Sequence, residues 1–115
     1  MKNRTQELFF KDIMDSLSRI LKYSSNMSYD DFLKNEMAID AIIRNFEIIG
    51  EAAKHINPEY KDFFPELPLK EMIGMRNILI HDYLGINYKF LWETIQKDLP
   101  MLEKTIKKLI KEHFS

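Results

Sequence analysis

"IGMRNILIHDY" (Ile73–Tyr83) is the stretch on which the reading turns. Its Ile, Met and Leu residues belong on a buried helix, yet a cation stands at its centre and an imidazole and a phenol near its end. On an ideal helix of about 100° per residue, Leu69, Met72, Ile73, Leu79, Ile80 and Tyr83 fall within roughly 60° of Arg76. Arg76 is thus the middle of the apolar stripe. A guanidinium keeps its proton, so burying it alone is costly and an anion must meet it.

The next helix upstream offers that anion. Asp40, Arg44, Glu47 and Glu51 follow one another at three- and four-residue steps beside an apolar stripe of Ile39, Ile42, Ile43, Phe46, Ile49, Ala53 and Ile56. An internal ion pair from Arg76 to Glu47 or Glu51 is one reading. The other has Arg76 lining a cleft and awaiting a phosphate, which its planar fork suits. His81 lies about 140° round the helix from Arg76, with Gly74, Asn77 and Ile78. Gly74 permits close approach of another backbone, so this face is expected to meet a helix, from this chain or a second subunit. His81 there is either a packing residue or a catalyst. Tyr83 returns to the Arg76 face as a core-edge aromatic with a wet hydroxyl.

Working outward, a first helix is expected from about Thr5 to Ser24, with Phe9, Ile13, Leu17, Ile20 and Leu21 inward. Ser28 and Asp31 form a capping box for a short helix through "YDDFLK". The long helix begins at Glu36 and stops at Asn57-Pro58. "NPEYKDFFPELP" connects it, with room for one helical turn, to a helix that has Pro68 at its first position and ends before Gly85. The last helix starts near Asn87 and carries Phe90, Leu91, Ile95, Leu99, Leu102, Ile106, Leu109 and Ile110 inward. Pro100 must kink or divide it. The expected fold is all-α, an up-and-down bundle of four main helices plus a short one, forming a single domain over residues 1–115.

Composition narrows the function. The 115 residues are 45% hydrophobic and 30% charged with three Gly and four Pro, which fits a helical globular chain. The absence of cysteine excludes a disulfide framework and a thiolate metal site. "MKNRTQELFF" reads as neither signal peptide nor anchor, and no apolar run approaches membrane length, so a cytoplasmic protein is expected. A net charge of −1 gives no global attraction to nucleic acid. The one basic run, Lys104, Lys107, Lys108 and Lys111, reads as a solvated helix face that offsets the macrodipole. His55 and His113 end their helices. No histidine–carboxylate spacing suggests zinc, and there is no phosphate loop or nucleophilic serine motif. No cofactor is expected.

The R-x4-H-x-Y pattern of Arg76, His81 and Tyr83 resembles the R-x4-6-H motif of HEPN domains. "AIIRNFEIIGEAAKHI" (Ala41–Ile56) and "LWETIQKDLP" (Leu91–Pro100) resemble the matching segments of HepT-like proteins. The resemblance implies a HEPN-like helical homodimer in which two such helices face each other across a two-fold axis. It also implies a metal-independent endoribonuclease, the toxin of a type VII toxin–antitoxin pair. Its antitoxin would be an MNT-type minimal nucleotidyltransferase that transfers AMP to the motif tyrosine. By position, Arg76 and His81 would be catalytic, Asn77 supporting and Tyr83 the modified residue. RNA carries its own nucleophile, the 2′-hydroxyl, so this chemistry needs only an acid, a base and charge stabilisation. The alternative is a non-catalytic dimeric helical module that docks a nucleotidyltransferase or a nucleotide.

Overall fold

The structure, a computed structural model, describes residues 2–81 and 85–114, and side chains within 6–79 and 85–114. The described residues form helices and connecting turns, with no strand among them. Helix α1 (Lys2–Ser24) packs against α3 (Glu36–Lys54) and α7 (Leu99–Phe114), and α3 packs in turn against α5 (Leu69–His81). The long helices therefore run α7, α1, α3, α5 across the molecule. This is the expected all-α bundle. None of the described helices is long and apolar enough to cross a membrane.

Periodicity decides which face of each helix is buried. In α1 the fully buried residues are Phe10, Ile13, Leu17 and Ile20, at three- and four-residue steps. Phe9, expected in that stripe, lies one position off it and is half-buried; its ring stacks on His55 with centroids 5.1 Å apart. The Ser24 hydroxyl donates to the Ile20 carbonyl at 2.8 Å, and Asn26 then turns the chain at φ 64°, a left-handed conformation that asparagine tolerates. Both capping-box bonds form at the start of α2 (Tyr29–Lys34): Asp31 N–H to Ser28 Oγ at 3.1 Å and Ser28 N–H to Asp31 Oδ2 at 3.0 Å. The hydrogen bond from the Ser28 backbone, then that from its hydroxyl, holds the Asp31 carboxyl below its ordinary value. Its contribution is present above the ordinary carboxylate pKa and disappears as pH falls through the lowered one. Phe32 of α2 packs on Trp92 with centroids 5.1 Å apart, tying this helix to α6 (Tyr88–Glu93).

The ends of α3 are both satisfied by side chains. Asn35 Oδ1 accepts from Ala38 N–H at 3.0 Å. At the other end the Gln6 amide of α1 donates to the His55 carbonyl at 2.9 Å and accepts from Asn57 N–H at 2.7 Å. The connector holds one helical turn, α4 (Tyr60–Phe63), and buries Phe64 and Leu67. Pro68 stands just before α5, not inside it, and its carbonyl accepts the Met72 N–H at 3.0 Å. It still starts the helix.

Pro100 leaves its mark one turn earlier. Between α6 and α7 lies a π-helical turn, Thr94–Asp98, in which the Leu99 N–H bonds the Thr94 carbonyl five residues back. A proline cannot close the ordinary bond, and the wider turn accommodates that loss. It also sets the register. Leu91, Ile95 and Leu99 are two successive four-residue steps, which drift by about 80° on an ideal helix. The extra residue per turn absorbs the drift, so all three are buried with Leu102, Ile106 and Leu109. Phe90, expected inward, is 51% exposed.

The crossing of α3 and α5 has the closest backbone approach found at a described helical glycine. A Cβ built on Gly50 would overlap the Arg76 Cβ and lie 2.9 Å from both Arg76 Cγ and the Met72 carbonyl. Gly74, the residue expected to make such an approach, has nothing within 4 Å of the same position. Gly50→Ala should therefore force α3 and α5 apart and destabilise the fold by about 1–3 kcal/mol despite alanine's better helix propensity. Gly74→Ala in the isolated chain should be neutral or slightly stabilising. Denaturant titration of the two variants checks both.

Candidate active site

Because α5 crosses α3 at Gly50, the Arg76 side chain leaves the crossing beside the next residue, Glu51. Its Nη2 lies 3.1 Å from Glu51 Oε2 and its Nη1 donates to Asn77 Oδ1 at 3.0 Å. The expected carboxylate partner is present, and it is Glu51. Glu47 turns instead to Arg44 at a looser 3.7 Å. Glu51 also reaches His55 Nε2 at 3.5 Å, so one carboxylate serves a guanidinium and an imidazole.

Arg76 is not sealed in the core. Its side chain is 25% exposed and Glu51 is 50% exposed, so the pair is partly solvated and worth at most about 1 kcal/mol. The guanidinium opens onto a cleft of about 560 Å³ between α1 and α3. Phe9 and Asp12 of α1 form one wall; Arg44, Glu47, Ile48, Glu51 and Ala52 of α3 form the other, with His55 at the end. The two readings of Arg76 are thus compatible. It has a resting partner and it lines a cleft, with donors of its five-donor fork left for an oxyanion.

The opposite side of α5 is apolar. Gly74, Met75 and Ile78 border a groove of about 590 Å³ whose far wall is Phe90, Met101, Leu102 and Thr105. Ile78 and Phe90 are each 51% exposed and Met101 71%. Three large apolar side chains open to water around one groove are an unusual surface for a chain of this size. Asn77 is exposed between the two faces.

His81 is the last residue of α5, placing it by register one turn beyond Asn77 and Ile78. Its side chain lies outside the described residues, as do Asp82 and Tyr83 altogether. Among the described residues no three histidine or acidic side chains converge as a metal site would require. Sequence reasoning missed Phe9, Asp12 and His55 as parts of the cleft. A signal for His55 was available: it stands four residues after Glu51, the spacing of neighbours on a helix face.

Comparison with known proteins gives the family of the chain. The family model described as Ribonuclease HepT-like matches residues 13–109. A Methanocaldococcus jannaschii protein with a provisional RNase name is 41% identical over 106 residues, 92% of this chain and 97% of the relative. A Caldanaerobacter subterraneus protein, also provisionally named an RNase, is 36% identical over 95% of this chain and 97% of its own. A Thermococcus cleftensis protein with the provisional name ribonuclease HepT is 37% identical over 94% of this chain and 98% of its own. No solved structure gives a significant match.

Since the Arg76–Glu51 pair is partly in water, Arg76→Ala should stay folded, losing about 1 kcal/mol or less from the ion pair and a further loss from the packing of its aliphatic stem. Thermal unfolding of the variant against wild type measures this, and lets a loss of activity be read as a loss of chemistry.

Proposed function

The chain belongs to the HepT-like ribonuclease family, and from that premise we propose that it is the endoribonuclease toxin of a toxin–antitoxin pair, cleaving RNA without a metal. The observation that carries the reading is the placement of Arg76. It is held by Glu51 and Asn77, partly exposed, and open to a cleft at the centre of the R-x4-H helix. In the proposed reaction the RNA 2′-hydroxyl attacks the adjacent phosphorus. Arg76 stabilises the charge that develops on the phosphorane oxygens. His81, whose ordinary pKa is near neutrality, takes the 2′-proton or protonates the departing 5′-oxygen. The P–O5′ bond breaks, leaving a 2′,3′-cyclic phosphate and a 5′-hydroxyl.

One helix puts Arg76 and His81 about 140° apart, too far round for both to face one phosphate. We infer a homodimer in which two α5 helices meet, so that Arg76 of one chain and His81 of the other share a cleft. What supports it is the apolar face of α5, with Ile78 half exposed and nothing within 4 Å of a Cβ built on Gly74. Tyr83 is proposed as the acceptor of AMP from a nucleotidyltransferase antitoxin. A nucleotide there would add bulk and negative charge where RNA must bind. A second reading, a non-catalytic docking module, draws on the fact that Arg76 already has an internal partner in Glu51.

His81→Ala should lower cleavage of labelled RNA by about 10²–10⁴-fold in a protein that remains folded. EDTA should leave wild-type cleavage intact. Full activity of folded His81→Ala would assign the chemistry to other residues, whereas no cleavage by wild type would favour the docking module. Ile78→Glu should sediment as a monomer and lose cleavage with the dimer; an active monomer would mean that each chain holds a complete site. Incubation with the cognate nucleotidyltransferase, ATP and Mg²⁺ should add AMP mass units to wild type and none to Tyr83→Phe, which should keep its activity and escape silencing. Equal silencing of both would assign control to partner binding alone.

A further inference from the structure

The cleft beside Arg76 is not built to hold a phosphate chain. Its walls carry three carboxylates, Asp12, Glu47 and Glu51, against two guanidiniums, Arg44 and Arg76. Its carboxylates therefore outnumber its guanidiniums by one. Arg76 can take one phosphate at the edge, but a backbone running further in would meet acidic groups. What the interior offers is different. The His55 ring lines the cleft and its side chain is 52% exposed, with one face covered by Phe9 at a near-parallel 17°. Asp12 is exposed and among the described residues has no ion pair, and Glu47 pairs there with Arg44 at 3.7 Å. A flat aromatic surface beside free carboxylate oxygens suits a neutral planar group rich in N–H donors.

We propose that this cleft is a subsite for one unpaired base of the RNA, next to the phosphate that Arg76 binds, with guanine preferred. This rests on the ribonuclease reading above. The base stacks on His55, whose ring Phe9 backs and whose Nε2 lies 3.5 Å from Glu51 Oε1. Asp12 and Glu47 accept from its edge. Guanine presents N1–H and the 2-amino group side by side, a match for the two oxygens of one carboxylate. Adenine and cytosine present an amino group beside an acceptor that a carboxylate repels, and uracil presents a single N–H between two such acceptors. The ~560 Å³ available lies within the range of small-ligand clefts, about 300–1,000 Å³.

The test separates the subsite from the catalysis. In one arm, guanosine 5′-monophosphate and uridine 5′-monophosphate are titrated into labelled wild-type protein, His55→Ala and Asp12→Asn, and chemical shifts are followed at Ile48, Ala52 and His55. Asp12 is exposed, so Asp12→Asn serves as the variant that keeps the fold. In the other arm, an RNA pool randomised in sequence is cleaved and its cut sites are sequenced. The proposal expects the guanosine nucleotide to move the cleft resonances at about ten-fold lower concentration than the uridine nucleotide. It expects Asp12→Asn to erase that difference and His55→Ala to weaken both nucleotides about ten-fold. Cut sites should show guanine enriched at one fixed position from the scissile bond, and the enrichment should flatten in Asp12→Asn. Selective binding without cleavage would uphold the subsite and overturn the ribonuclease reading. Cleavage with no base enrichment and no selective shift in the cleft would overturn the subsite and leave the ribonuclease reading standing.

Discussion

The contact between Gly50 and Arg76 governs the rest. A helix crossing this tight exists only because position 50 has no Cβ; any side chain there would overlap the Arg76 stem and press on the Met72 carbonyl. The crossing fixes where α5 lies on α3, and so where the Arg76 guanidinium emerges. It emerges beside Glu51, whose carboxylate meets it at 3.1 Å. The aliphatic stem is packed while the charged head reaches solvent. An arginine in the middle of an apolar stripe is reconciled with its surroundings in this way, without a fully buried ion pair and the desolvation that would cost.

Two differently constituted faces follow from that placement. On the Arg76 side α5 opens to a cleft of mixed charge with a stacked Phe9–His55 pair. On the other side it presents Gly74, Met75 and Ile78 to an apolar groove lined by Phe90 and Met101. A cleft of mixed charge and an apolar groove thus sit back to back on one helix of 13 residues. His81, at the end of that helix, belongs by register to the apolar side. A catalytic role for it in concert with Arg76 is therefore most economical if two copies of α5 meet.

Much of this was legible in the residues. Three- and four-residue spacing found the long helices, Ser28 and Asp31 announced their capping box, and the position of Arg76 demanded an anion, with Glu47 or Glu51 as one source and a phosphate as the other. Family membership was legible in the wording of three segments. What spacing could not supply was the identity of neighbours. A helical wheel gives an angle and says nothing of what stands opposite, so the close approach that Gly50 makes within the chain was not foreseen. Phe9 and Phe10 are adjacent and equally apolar, and only the packing of α1 on its neighbours chooses Phe10 for the core. Phe90 and Leu91 are likewise adjacent and both apolar, and only Leu91 is buried. The cleft was missed because its parts come from α1, α3 and α5, which only the fold brings together.

The central claim is that Arg76 exchanges Glu51 for an RNA phosphate. It is tested most directly by the binding of an oligonucleotide with 2′-deoxy sugars, which cannot be cleaved, to wild type and Arg76→Ala over a range of salt. If Arg76 holds a phosphate, the variant binds more weakly, and its log K against log salt is shallower by about 0.7, the contribution of one single-strand phosphate contact. Equal affinity and equal slope in the two proteins would mean that the guanidinium stays with Glu51, and the account of this site would fail.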